Sequence, residues 1–199
     1  NLTSVIKSTI AKSKDPSVTN PVASVKLNQA GAKEAGTKVV PSYTASLTAG
    51  SYTYGPATGI TAKTYSVTDG VEGHDTQTTA NGSFPEIQVT DGMNYKLSVS
   101  ITHNAGAIPK NNVGTEVPTK QIAAGTKTAT SSSITAYRNS FYGSVHDKTV
   151  ALDSAAIRAL SGKSGRTNTA GNTFNASESV GAMRVIIAVP APRTCTSIK

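Results

Sequence analysis

Side chains that could perform chemistry are few in this chain and far apart in its sequence. The three histidines, His74, His103 and His146, have no partners at the spacing of metal ligands, so we interpret each as a loop or surface histidine. The single cysteine, Cys195, cannot form an intramolecular disulfide, and alone it cannot build a structural zinc site. No phosphate-binding loop or nucleophile-elbow motif occurs. These observations predict no catalytic residue, no metal and no cofactor.

The densest acidic segment contains Asp69, Glu72 and Asp75. Carboxylate oxygens are the ligands that Ca²⁺ prefers, so a calcium site is one interpretation of this segment. The other interpretation is an ordinary solvated acidic loop, which we favour. A glycan hydrolase would need two carboxylates that face each other across a cleft. Because the 11 acidic residues fall mostly in loops, we predict that the protein is not an enzyme.

The densest aromatic cluster contains Tyr137, Phe141 and Tyr142, with Arg138 beside them. These rings could form a stacking platform for a sugar, or they could form a core cluster that joins two β units. We favour the core cluster, because Tyr137 follows a predicted strand and Gly143 ends the cluster. Arg138 could pair with a carboxylate at a subunit contact. The four residues are therefore our candidate interface or glycan contacts.

The strongest strand pattern begins at Tyr95, from which apolar and polar residues alternate as far as Thr102. Period-2 alternation places the apolar residues on one face of a strand. Asp91 and a tight turn precede this tyrosine by four residues, as in the tyrosine corner of immunoglobulin-like (Ig-like) sandwiches. In such a corner the tyrosine hydroxyl bonds backbone upstream, and Leu97 here occupies the position of the second core cysteine. The pattern predicts an all-β, disulfide-free Ig-like β-sandwich with Asp91 and Tyr95 as its structural corner.

Shifts in composition divide the chain into three regions. Residues 1–21 are polar and predict an N-terminal arm or linker, whereas residues 22–133 contain short strands with regular turn signals and predict the sandwich. Residues 134–199 predict a smaller C-terminal β-rich unit with one short helix over 155–160. The near-continuous apolar run 183–189 predicts a strand that is buried on both faces.

The chain is basic, with a formal net charge of +8. Such a charge attracts nucleic acid or anionic glycans, but it is also typical of a surface on which lysines protect strand edges. We favour the second interpretation, because the basic residues are scattered and no aromatic platform lies among them. No apolar run approaches the ~20 residues that span a membrane. We therefore predict neither a nucleic-acid partner nor membrane insertion.

Five motifs occur in a fixed order along the chain: Tyr52 to Gly59, Val89 to Tyr95, Tyr137 to Gly143, Ala156 to Leu160, and Gly181 to Pro190. This ordered set resembles structural proteins of tailed bacteriophages, in which Ig-like modules decorate tails, baseplates or heads. The resemblance covers residues 22–192, which is most of the chain. It carries no catalytic residue over to this sequence.

The resemblance implies a non-enzymatic virion structural protein, a tail, baseplate or head-appendage subunit that acts in assembly and surface display. Its expected partners are other virion proteins and further copies of the same chain, with a host surface glycan as an additional candidate for host attachment. The implied location is the virion, which is assembled in the host cytoplasm.

The alternative hypothesis is a carbohydrate-binding adhesin module on a bacterial surface. It would use two long loops, Gly70 to Ser83 and His103 to Val117, at one end of the sandwich. An exposed tyrosine or phenylalanine shelf would favour this hypothesis, because sugar rings stack on aromatic faces. Buried rings would favour the structural protein.

Overall fold

The structure is a computed structural model that describes residues 2, 3, 5, 12–145, 151–160, 162–166 and 184–190. The chain is an all-β protein with one short helix in its C-terminal part, which confirms the predicted fold class. The strands are β1 Val18–Thr19, β2 Val22–Leu27, β3 Gly31–Glu34, β4 Lys38–Val39, β5 Ser42–Thr48, β6 Ser51–Tyr52, β7 Ala62–Thr68, β8 Asn81–Ser83, β9 Ile87–Gln88, β10 Asn94–Tyr95, β11 Ser98–His103, β12 Gly125–Thr130, β13 Ile134–Val145, β14 Gly162–Arg166 and β15 Arg184–Ala188. A 3-10 turn covers Pro118–Lys120, and the helix covers Ser154–Arg158.

The chain forms two compact units, and each unit is built from separated segments. The first unit contains Asn1–Ala30, Val40–Glu86 and Tyr95–Ser133. The second unit contains Gly31–Val39, Ile87–Asn94 and Ile134–Lys199. The contiguous domain boundaries derived from the sequence, 1–21, 22–133 and 134–199, stay a prediction.

The core of the first unit lies between two antiparallel three-stranded sheets. One sheet has the order β2–β5–β8 and the other has the order β12–β11–β7. Strand β2 packs against both β11 and β12. Alternate residues of β2 and β11 are buried, because each strand turns one face toward the opposite sheet.

The strongest predicted strand is confirmed by its burial. Tyr95, Leu97, Val99 and Ile101 are all buried, in the alternation that the sequence predicts. The pattern continues one step further than expected, because His103 ends β11 on the same inward face and is itself buried. The interpretation of His103 as a loop or surface histidine is therefore wrong.

The second unit is organised around β13, which is its longest strand. This strand pairs with β3 in parallel near its start and with β14 and β15 antiparallel further along. The short helix begins after Asp153, whose side chain accepts a hydrogen bond from the Ala156 N–H at 2.8 Å. This N-cap satisfies a backbone donor that has no partner within the helix.

Strand β15 differs from the buried strand that its apolar run predicts. Ile186 is buried, but its neighbour Val185 is 50 % exposed. Within the described residues β15 pairs with β13 alone, so it forms an edge of this sheet. Within the described residues the chain does not cover both faces of this strand, because a run of apolar side chains does not specify how many faces are covered. Cover of one face by a neighbouring subunit stays a prediction.

Candidate functional site

All four candidate contact residues lie on β13, but they have different environments. Phe141 is only 8 % exposed, whereas Tyr137, Arg138 and Tyr142 are half-buried. Arg138 and Phe141 line a cleft of about 420 Å³ in the second unit, which Tyr137 and Tyr142 do not line. The structure therefore brings two of the four predicted residues together at one site.

Four charged side chains, in two ion pairs, line this cleft. Arg158 Nη1 donates a hydrogen bond to Glu34 Oε1 at 2.9 Å, and Arg138 Nε lies 3.2 Å from Asp91 Oδ2. Arg138 Nε makes no hydrogen bond within the described part of the chain, so charge alone holds its pair with Asp91. Both arginines are neutralised by carboxylates of their own chain.

Arg158 and Phe141 lie close together on one wall of the cleft. The Arg158 guanidinium carbon lies 5.7 Å from the centroid of the Phe141 ring, which is within the range of cation–π attraction. This contact uses one face of a ring that is already buried. Phe141 therefore offers no exposed shelf on which a sugar could stack.

Asn139 is the buried polar residue that sequence reasoning missed in this cleft. It is 6 % exposed, and neither its Nδ2 nor its Oδ1 has a hydrogen-bond partner among the described residues. A buried amide without partners is costly, and native proteins keep few such groups. Its neighbours in sequence, a serine and an arginine, gave no signal of this environment.

The Tyr95 hydroxyl belongs to a different cluster, in the first unit. It donates to Asp69 Oδ2 at 2.8 Å, and His74 Nδ1 lies 2.7 Å from the same oxygen. A tyrosine corner would bond backbone upstream, so the predicted partner of this hydroxyl is wrong. Asp91, the acidic residue assigned to the corner, instead pairs with Arg138. We refer to Asp69, His74 and Tyr95 as the Asp69 cluster.

The Asp69 cluster is shielded from water, and the Tyr95 hydroxyl in it holds its proton tightly. The Asp69 side chain is only 1 % exposed. Burial raises the pKa of Tyr95 far above its ordinary value, and the hydrogen bond and the charge of Asp69 raise it further. Since a carboxylate can only accept, His74 Nδ1 carries the hydrogen of its bond.

The chemistry of the Asp69 cluster is that of a structural network. An Asp–His pair can orient a general base, but the third member would then need to release a proton easily. The raised pKa of Tyr95 makes its hydroxyl a poor proton donor and a poor nucleophile. The three side chains therefore hold Tyr95 against the segment that follows β7.

Side chains that bind metals do not cluster in the described part of the chain. Among the described residues, no group of three or more histidine, cysteine, aspartate or glutamate side chains is placed to hold a metal ion. In the acidic segment, Asp69 is already bonded to Tyr95 and His74. In the same part of the chain, no helix is long and apolar enough to cross a membrane.

Comparisons of the chain with protein-family models, with curated proteins and with solved structures found no match. The functional interpretation therefore depends on the residues and on their geometry. Two features of the described chain carry that interpretation: the strand order of the first unit and the arginine–carboxylate cleft of the second.

Proposed function

We propose that this chain is a non-enzymatic structural protein of a bacteriophage virion, a tail, baseplate or head-appendage subunit that acts in assembly and surface display. The observation that carries the proposal is the strand order of the first unit. The orders β2–β5–β8 and β7–β11–β12 are those expected for the A-B-E and C-F-G strands of an Ig-like sandwich, which supports the proposal. Tyr95 then lies just before the strand in the F position, where Ig-like sandwiches carry their corner tyrosine.

The arginine–carboxylate cleft of the second unit supports a role in assembly. Arginine is enriched in protein–protein contacts, where its planar group pairs with carboxylates and stacks on rings. The side-chain amide of Asn139, which has no hydrogen-bond partner among the described residues, would gain hydrogen bonds from the backbone or a side chain of a partner protein. The proposed partners are other virion proteins and further copies of this chain, and the proposed location is the virion assembled in the host cytoplasm.

The adhesin alternative is less well supported by the geometry. Strands β7 and β11 are antiparallel, with Ser98 opposite Thr68 and His103 opposite Ala62. The loop that follows β7 and the loop that follows β11 therefore leave opposite ends of the sheet. The expectation that both loops share one binding end is wrong, and the buried Phe141 ring offers no shelf.

The direct test compares phage particles assembled with and without this chain. We expect the two kinds of particle to differ in protein composition or infectivity, measured by mass spectrometry and plaque assay. The purified protein should self-associate in sedimentation velocity. If particles that lack the chain are unchanged and the purified protein stays a compact monomer, the proposal is wrong.

A variant pair locates the contact surface. Arg138→Ala combined with Arg158→Ala should weaken self-association, because both guanidinium groups are removed from the cleft. Lys26→Ala is the matched control, since it removes one exposed cation from β2 in the first unit. Equal self-association in the double variant and the control would exclude the cleft as the contact. Neighbouring reading frames for portal, capsid or tail proteins would support the virion assignment independently.

A further inference from the structure

A second cleft, of about 430 Å³, lies in the first unit at the end of the sheet where β11 finishes and β12 begins. We call it the His103 cleft. Its lining combines the end of β11 with residues 119–127, which run from the 3-10 turn into β12. None of the candidate residues discussed for assembly lines it.

His103 presents an unused hydrogen-bond acceptor in this cleft. The residue is 3 % exposed, and its Nδ1 lies 2.8 Å from the carbonyl oxygen of Asn104. Because a carbonyl only accepts, Nδ1 carries the hydrogen and Nε2 of the neutral ring carries a lone pair. Nε2 has no partner among the described residues. A buried acceptor of this kind favours a ligand that brings a hydroxyl or another donor.

Gly125 leaves space beside that acceptor. A Cβ atom at Gly125 would lie 3.6 Å from His103 Nε2, so an alanine methyl group at this position would contact this edge of the ring. The backbone of Gly125 does not require glycine, since its φ is not among the positive values of the chain. An alanine at position 125 would therefore fill the space beside the His103 ring.

The rest of the lining favours a negatively charged ligand with several hydroxyl groups. Lys120 and Lys127 line the cleft, and no aspartate or glutamate is among its described lining residues. Gln121 and Thr126 add neutral polar groups that can bond hydroxyls. The two lysines favour a ligand with a carboxylate or another anionic group, whereas the lone pair of His103 Nε2 favours a ligand with a hydrogen-bond donor.

We propose that the His103 cleft binds an acidic saccharide unit of the uronate type. In this arrangement the saccharide carboxylate pairs with Lys120 and Lys127, and one ring hydroxyl donates to His103 Nε2. The inference deepens the host-attachment part of the proposed function and rests on it, because a surface-displayed subunit meets anionic glycans of the host. The site does not use the arginine–carboxylate cleft.

The test is titration of the full chain with glucuronate, followed by isothermal calorimetry or by NMR shifts of the residues around His103. We expect millimolar binding that weakens as salt is added, since screening reduces the attraction of exposed lysines. Glucose lacks the carboxylate, and acetate and inorganic phosphate lack the sugar ring. At equal ionic strength all three should bind at least about fivefold more weakly, which corresponds to losing one polar contact of the usual size.

Three variants assign the contacts. Lys120→Ala with Lys127→Ala should weaken glucuronate binding about fivefold or more and reduce its salt dependence. Gly125→Ala should weaken binding without removing a charge, because its methyl group covers the ring edge at an ordinary contact distance. Lys26→Ala, which removes a cation elsewhere on the same unit, should bind as the natural chain does.

Three results would overturn the inference, and the first two are no glucuronate binding at all, or binding that neither the lysine pair nor Gly125→Ala changes. Equal binding of glucuronate, acetate and phosphate would also overturn it, because the cleft would then recognise a bare anion and not a saccharide. Failure here is distinguishable from failure of the virion proposal. Particle composition depends on the chain's presence, whereas these titrations use the isolated protein.

Discussion

Two aspartates at the ends of short β segments have the same local sequence and opposite roles. Asp69-Gly70 and Asp91-Gly92 both follow a Val-Thr pair, and both glycines adopt positive φ, 69° and 74°. Asp69 is 1 % exposed and accepts from three donors, which are Tyr95, His74 and the Val71 N–H. The Asp91 side chain is 50 % exposed, and among the described residues its ion-pair partner is Arg138.

The difference between the two aspartates is one of environment. A hydrogen bond to a charged carboxylate contributes most to stability where water is excluded, because water there neither screens the charge nor replaces the donor. Asp69 therefore organises a buried cluster, while Asp91 remains available at a surface. The shared Val-Thr-Asp-Gly sequence does not predict which carboxylate is buried.

Asp69→Ala should have the largest effect. It leaves the buried Tyr95 hydroxyl and the His74 N–H without their acceptor, so we expect a loss of about 3–5 kcal/mol in the free energy of unfolding. Urea denaturation at neutral pH measures this loss. Asp91→Ala is the matched control and should cost less than about 1 kcal/mol. Equal losses in the two variants would contradict the comparison.

Tyr95→Phe should cost about 2 kcal/mol, since its hydroxyl bonds a charged group. This value is larger than the ~1 kcal/mol expected for the backbone partner that a tyrosine corner predicts. The fold should survive, because the phenylalanine ring still fills the core. An unchanged melting temperature would mean that the Asp69 cluster contributes nothing to stability.

The Asp69 cluster should also make stability fall at high pH. The pKa of Tyr95 is raised in the folded state, while an unfolded tyrosine ionises near pH 10. Below about pH 10 the folded and the unfolded chain both keep the Tyr95 hydroxyl proton, so the hydroxyl contributes its full stabilisation. Above that pH only the unfolded state releases the proton, so the natural chain should lose up to about 1.4 kcal/mol per pH unit relative to Tyr95→Phe. Parallel urea titrations between pH 8 and pH 11 measure this difference, and parallel curves would contradict the burial of the hydroxyl.

Arg158→Ala should have an intermediate effect of about 1 kcal/mol. It removes both the hydrogen-bonded pair with Glu34 and the cation–π contact with Phe141. Arg158→Lys keeps the charge but not the planar group, so it should recover only part of the loss. Thermal unfolding of the three proteins measures these changes. Full recovery by lysine would show that the planar group contributes nothing.

Arg138→Ala should have the smallest effect, about 0.5 kcal/mol or less, because its ion pair is exposed and lacks hydrogen-bond geometry. The isolated fold should remain intact, while any contact with a neighbouring subunit should weaken. Unfolding and self-association measured on the same samples separate these two effects. A large loss of stability would place Arg138 in the same class as the Asp69 cluster.

Part of the candidate site was predictable from the sequence. Arg138 and Phe141 were identified because an aromatic and cationic cluster of this density is unusual in the chain. Their partners could not be identified in the same way. Glu34 and Asp91 come from distant segments that only the folding of the second unit brings to β13.

The sequence by itself determined the strand class and the inward face of β11. Its alternation is a local property, since consecutive side chains of a strand point in opposite directions. Tertiary structure alone decided the partner of the Tyr95 hydroxyl, the burial of His103 and the exposure of Val185. Each of these depends on which distant strand covers a face or an edge, and no local pattern carries that information.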